Sequence, residues 1–123
     1  MPQVPMHNEK YNWIKIAESV AEIPFNDNGL AEVNAAGKLV CVGRFENTLF
    51  AFAPKCPHAS GTFLHGTIDA QGNVVCPLHR YKFCLKNGRN VTGEGYYLKH
   101  WPVDIQDEGV FIGLEKGLLA NLF

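Results

Sequence analysis

A chain of 123 residues is one domain's worth of polypeptide, large enough to bury a hydrophobic core without disulfide support. With 46% hydrophobic and 19% charged residues, 12 glycines and 7 prolines, its composition excludes a disordered segment and suits a compact β protein with many turns. A formal charge of −1 gives no overall drive toward nucleic acid or an anionic membrane.

In chain order, Tyr11 to Ala17 (YNWIKIA) is predicted as a first strand from its aromatics and isoleucines, with Trp13 packing inward. Residues 18–24 read as a short turn ending at Pro24, and Asn26-Asp27-Asn28-Gly29 is a strong turn signal. Leu30 to Asn34 and Lys38 to Phe45 flank Ala35-Ala36-Gly37 as a hairpin. Glu46-Asn47 turns the chain into a strand from Thr48 to Ala53, which Pro54 stops. Thr67 to Asp69 and Asn73 to Cys76 bracket Ala70-Gln71-Gly72 as a further hairpin, and Tyr81 to Leu85 continues as a strand. Lys86-Asn87-Gly88-Arg89 is a tight turn in which glycine supplies positive φ. Residues 97–105 and 110–114 form a last hairpin around Asp107-Glu108-Gly109, and Gly117 to Phe123 is an apolar tail, packed or an interaction patch. No helix of normal length, internal repeat or linker is evident, so the expected class is all-β.

Chemistry concentrates between Cys56 and Cys84. Cys56-Pro57-His58 and Cys76-Pro77-Leu78-His79 are two short pairs joined by the predicted 67–76 hairpin, whose paired strands hold both loops at the same end of a sheet. Each loop offers one thiolate and one imidazole, a Cys2His2 set that suits zinc or an iron–sulfur cluster. A zinc finger usually begins Cys-x2-4-Cys and ends His-x3-5-His, whereas here each half is Cys then His at intervals too short for one helical face.

Four cysteines can also form a disulfide framework. That requires export, and MPQVPMHNEKY shows no basic region followed by an apolar one, while no later run approaches a membrane span. A reducing, cytoplasmic location without membrane association is the expectation. Cys41, within Leu39-Val40-Cys41-Val42, reads as a small core residue and Cys84 as core or half-exposed; neither has ligand spacing. His65 reads as a turn or surface residue, His7 as near the terminus, and His100 as a strand residue beside Trp101. Phe50, Phe52, Phe63, Trp101 and Phe111 read as core rather than as a path for electrons. From Lys55 to Arg89, Lys55, Arg80, Lys82, Lys86 and Arg89 face the single acid Asp69, a basic end that is either a solvated bias or a dock for an acidic partner.

The pattern Cys-x-His…Cys-x2-His, with proline after each cysteine, resembles the Rieske [2Fe-2S] family. Val74-Val75 before the second box, Phe83…Gly88, and Leu98-Lys99-His100-Trp101-Pro102-Val103 extend the resemblance over most of the chain. It implies a single domain over 1–123: an antiparallel sandwich or barrel-like base with an inserted cluster-binding subdomain at about 54–91. It implies one [2Fe-2S] cluster with Cys56 and Cys76 on one iron and His58 and His79 on the other. Two ferric ions, two sulfides, two thiolates and two neutral imidazoles sum to a formal zero, so an electron is accepted more easily than by a four-cysteine cluster. In the respiratory branch a disulfide joins the ligand loops, and hydroxyls follow the second histidine. Here Gly61 and Leu78 match the disulfide positions, and Tyr81 and Phe83 the hydroxyl positions. Fewer donors to sulfur place the expected potential at the low end, about −150 mV.

Two other departures matter. Arg80 stands where glycine is common, putting a cation beside the second histidine, and Thr92-Gly93-Glu94-Gly95-Tyr96 replaces the family's Gly-Pro-Ala-like cover. The resemblance implies a ferredoxin-like one-electron carrier between a flavin reductase and an oxygenase, not an enzyme by itself. Nothing after residue 91 supplies an oxygenase's two-His, one-carboxylate iron site, and no GxGxxG supplies a reductase. The alternatives are a small subunit similar to that of assimilatory nitrite reductase, and a structural zinc module; a thiol redox sensor is weaker, because Cys41 and Cys84 have no activating pair.

Overall fold

The computed structural model describes residues 10–58 and 61–116. Its strands are β1 (Tyr11–Ala17), β2 (Leu30–Ala35), β3 (Lys38–Phe45), β4 (Thr48–Phe52), β5 (Thr67–Ile68), β6 (Asn73–Val75), β7 (Lys82–Cys84), β8 (His100–Trp101), β9 (Val103–Gln106) and β10 (Gly109–Glu115). They form three antiparallel sheets ordered β1-β10-β9, β2-β3-β4-β8 and β5-β6-β7. The all-β expectation holds. Short 3-10 turns lie at Val20–Glu22 and Phe63–His65, and no helix among the described residues is long and apolar enough to cross a membrane.

Tight turns set the register of the second sheet. Pairs Ala35↔Lys38 and Phe45↔Thr48 leave two-residue loops, Ala36-Gly37 and Glu46-Asn47, in which every φ is positive, at 55°, 85°, 51° and 64°. That geometry matches the right-handed twist of the strands it joins. β2 therefore runs one residue further than the apolar pattern indicates, ending at Ala35.

The predicted strand over 97–105 is divided. β8 pairs with β4, Ala51↔Trp101, whereas β9 pairs with β10, Val110↔Ile105, and the chain changes sheets at Pro102. Proline has no N–H for a ladder, which makes it the natural crossing point. Trp13 also departs from expectation. Ile14 and Ile16 pack on the core, so with a strand period of two Trp13 faces the other way and is half-buried. It lies over Gly113, its register partner, where an added Cβ would meet Cη2 and Cζ3 of the indole at 3.1 Å. Phe50 and Phe111 are half-buried too, while Phe52, Phe63 and Trp101 are core. His7 and the tail from Gly117 lie outside the described residues.

Two apolar cores result. The first, between the β1-β10-β9 and β2-β3-β4-β8 sheets, is built from Ala31, Val40, Val42, Ala51, Trp101, Val110, Ile112 and Leu114, among others. The second joins the opposite side of the β2-β3-β4 strands to the β5-β6-β7 sheet and contains Leu30, Cys41, Phe52, Phe63, Val74, Phe83 and Leu98. Phe63 is its keystone, edge-on to Phe52 at 5.7 Å and to Phe83 at 5.9 Å; such pairs contribute about 0.5–1.5 kcal/mol beyond burial. Cys41 is fully buried there, and burial pushes its thiol up to about 12, which keeps it protonated and inert.

Polar side chains pin the third sheet to the base. Asn26 Nδ2 donates to Leu64 O at 2.9 Å and Asn28 Nδ2 to Gly66 O at 3.0 Å, so the turn read at 26–29 also anchors the 63–66 segment. Asp69 accepts from the Gln71 and Asn73 backbones and from Asn73 Nδ2, and pairs with Lys82 at 3.2 Å. Burial alone would raise its pKa, but these hydrogen bonds hold the carboxyl below the usual range. Gly88 has no room for a side chain: at φ 75° an added Cβ would lie 2.1 Å from Leu98 O. Gly88→Ala is expected to lower stability by about 3 kcal/mol, measurable as a reduced urea midpoint at unchanged slope; an unchanged midpoint would contradict this packing.

Candidate metal centre

Two loops built alike carry the cysteine and histidine boxes. In the first, Cys56 N donates to Gly61 O at 2.8 Å; in the second, Cys76 N donates to Tyr81 O at 2.9 Å, so each cysteine N–H closes a loop onto the carbonyl five residues later. The bridge Lys55↔Thr62 seats the first loop, and the ends of β6 and β7 seat the second. His79 and Arg80 both take left-handed φ, 62° and 59°. For residues with a Cβ this costs about 1–2 kcal/mol each. At Arg80 a glycine would carry no such cost, which gives a backbone reason for the glycine common at that position.

The loops bring all four candidate residues together, sorted by chemistry. Cys56 and Cys76 are buried in the second core. Their thiols interact: burial, then the neighbouring Cys56, raises the pKa of Cys76, while a hydrogen bond from the Leu78 backbone N–H opposes the rise. Gly61 makes this possible, because an added Cβ there would lie 2.8 Å from Cys76 Sγ. The imidazoles lie toward solvent, His58 half-buried and His79 exposed, with ring centroids 5.0 Å apart. Among the described residues, no three His, Cys, Asp or Glu side chains gather as they would around a single ion. The donors instead come as a sulfur pair and a nitrogen pair.

His58 Nδ1 is buried and has no hydrogen-bond partner among the described residues. An unsatisfied buried ring nitrogen is costly, and a neutral imidazole nitrogen in that condition is poised as a metal donor. The donor set and its sorting fit a two-iron cluster, with sulfur donors on the inner side and nitrogen donors on the outer.

An aromatic stack on the imidazole side was not legible from ligand spacing. Tyr81 lies against His58, centroids 3.9 Å apart at 36°; Tyr96 stacks on Tyr81 at 6.1 Å and 29° and meets His58 edge-on at 5.7 Å. The 92–96 segment therefore does cover the site, through Tyr96. The stack's sequence signal is the aromatic in place of a small residue two positions after His79. His65 lies exposed at the end of its 3-10 turn, and His100 pairs with Tyr97 Oη at 3.2 Å; neither belongs to the donor group. Cys84 is half-buried on β7.

The family model described as Rieske [2Fe-2S] domain matches residues 12–100. The chain is 27% identical over 99 residues to the 3-phenylpropionate/cinnamic acid dioxygenase ferredoxin subunit of Photorhabdus laumondii, covering 80% of this chain and 91% of that relative. It shares its fold with a chain of the complex of reduced oxygenase and oxidized ferredoxin in carbazole 1,9a-dioxygenase (TM-score 0.70, 20% identity, 85% of this chain and 95% of that one). It shares it also with a small subunit of a putative NADPH nitrite reductase (TM-score 0.67, 23% identity, 82% and 97%).

Proposed function

Because the chain belongs to the Rieske [2Fe-2S] domain family, we propose that it is a one-electron carrier, with Cys56 and Cys76 on one iron and His58 and His79 on the other, passing electrons from a flavin reductase to an oxygenase. The observation that carries this reading is the sorting of the donors into an inner, mutually interacting thiol pair and an outer imidazole pair, with His58 Nδ1 unpartnered among the described residues. When bound, the cluster supplies a single-electron couple. Residues of about 54–91 form the subdomain that holds it.

The protein's own part is to bind, insulate and expose. Phe63, Val74, Phe83 and Leu98 keep water from the sulfur side, and the Leu78 N–H donates to Cys76 Sγ, favouring the thiolate a metal needs. On the other side, exposed His79 brings the donor group to the surface, where a partner can approach it. Lys55, next to Cys56 in the first loop, and Arg80, within the second, are exposed at this end, while Lys82 is engaged by Asp69 and Lys86 lies by the 70–72 turn at the other end of the sheet. That charge suits a partner surface carrying carboxylates. The relative's role as a dioxygenase ferredoxin subunit supports an oxygenase as acceptor. The cysteines are all free, in keeping with a reducing, cytoplasmic setting. The protein has no catalytic step of its own in this reading.

Low-temperature EPR of the dithionite-reduced protein tests it, alongside iron and acid-labile sulfide content. About two irons and two sulfides per chain and a rhombic signal, with average g below that of four-cysteine clusters, are expected. A colourless, EPR-silent protein with stoichiometric zinc would overturn the carrier reading. Stable co-purification with a large catalytic chain would move it to the nitrite reductase type.

A further inference from the structure

The loop after β7 is more heavily organised than its exposure requires. The side-chain amide of Asn90 is its hub: Nδ2 reaches Glu94 Oε1 at 2.9 Å, Thr92 Oγ1 at 3.1 Å and Lys82 O at 3.2 Å, while Oδ1 accepts from Glu94 N at 2.6 Å and Gly95 N at 3.1 Å. Thr92 Oγ1 also donates to Glu94 Oε1 and accepts from Lys82 N at 3.2 Å. One short segment thus ties its own carboxylate to the edge of β7, just beyond the closing carbonyl of the second loop.

Two things follow from where this loop sits. Tyr96, at its end, stacks on Tyr81, which lies on His58. The Glu94 carboxylate interacts electrostatically with both Tyr81 and His58. The hydrogen bond from Thr92, helped by Asn90, holds its carboxyl below the usual carboxylate range, so it carries its charge at neutral pH. The opposing cations nearby are Arg80, which follows His79, and Lys82, whose ammonium is engaged by Asp69.

Resting on the metal-centre reading above, we propose that the 90–96 loop is a positioning device: it fixes the exposed Glu94 carboxylate on the imidazole side, two residues before the Tyr96 ring that meets His58, as a negative charge that lowers the centre's reduction potential. A fixed anion stabilises the oxidised, more positive state of a nearby redox group and opposes the incoming electron. The effect weakens with salt because the carboxylate is exposed. Glu94 is a positioning residue, acting on the donor side without ligating.

The test is a redox titration of the loaded protein, read by EPR, for wild type, Glu94→Gln and Glu94→Asp. Glu94→Gln raises the potential while leaving the signal shape unchanged, and the rise shrinks at high ionic strength. Glu94→Asp keeps the charge but draws it back by one methylene, giving a smaller rise. A Glu94→Gln potential equal to or below wild type, with the His-type signal intact, overturns the proposal; should that variant fail to load, a Glu94→Asp potential no higher than wild type does so. A wild-type protein lacking the His-type signal would instead refute the metal-centre reading itself.

Discussion

His79→Cys is expected to lower the reduction potential by about 200 mV or more, toward the range of four-cysteine clusters. The substitution replaces a neutral donor by a thiolate, so an electron must enter a group with one more negative charge. The loop can receive it: His79 is exposed and already sits in the left-handed turn closed by Cys76 N and Tyr81 O. Potentiometry followed by EPR reads the result. A potential equal to wild type would remove His79 from the ligand set, whereas the Glu94→Gln shift runs the opposite way, so the two substitutions separate ligation from through-space charge.

Gly61→Ala is expected to cut iron content several-fold while leaving the base sheets folded. The added methyl would stand 2.8 Å from Cys76 Sγ and 3.2 Å from two carbons of Leu78. Real contacts of that kind are relieved by movement, but the candidates to move are a sulfur meant to bind iron and a residue whose N–H supports that sulfur. Nor can the loop shift freely, since Gly61 O accepts from Cys56 N at 2.8 Å. Iron analysis with far-UV circular dichroism checks both halves of the expectation. Full iron loading would show that the two loops are spaced more loosely than this packing implies.

The Cys-x-His and Cys-x2-His boxes were legible because a ligand set requires residue types at fixed spacing, and because hairpin signals at 70–72 placed both boxes at one end of a sheet. Turns at 36–37 and 46–47 were legible for a similar reason, their short polar or glycine-containing loops lying between apolar runs. The crossing at Pro102 was not. The alternation across 97–105 says which residues face inward but not which sheet they join, and that depends on β10 arriving from further along the chain. The same limit hid the stack of Tyr96 on Tyr81 and the hold of Asn90 on Glu94, which are decided by folding the loop back over the site. Trp13 was misread because its inward or outward sense hangs on a register partner, Gly113, near the other end of the described chain.

That distant pairing also sets the order in which the molecule can assemble. β2, β3 and β4 are successive hairpins, as are β5, β6 and β7, so each group closes only short loops and can form locally within microseconds. β1 has no such neighbour: Tyr11 pairs with Glu115, so its sheet cannot exist until nearly the whole described chain is present. Closing so long a loop costs chain entropy that is offset only when the last strand packs, which makes docking of β10 on β1 a late event. During synthesis the hairpins that bear the two metal loops precede the strands that complete the base, leaving the thiols of Cys56 and Cys76 on a partly built scaffold until β10 has been made and has docked on β1.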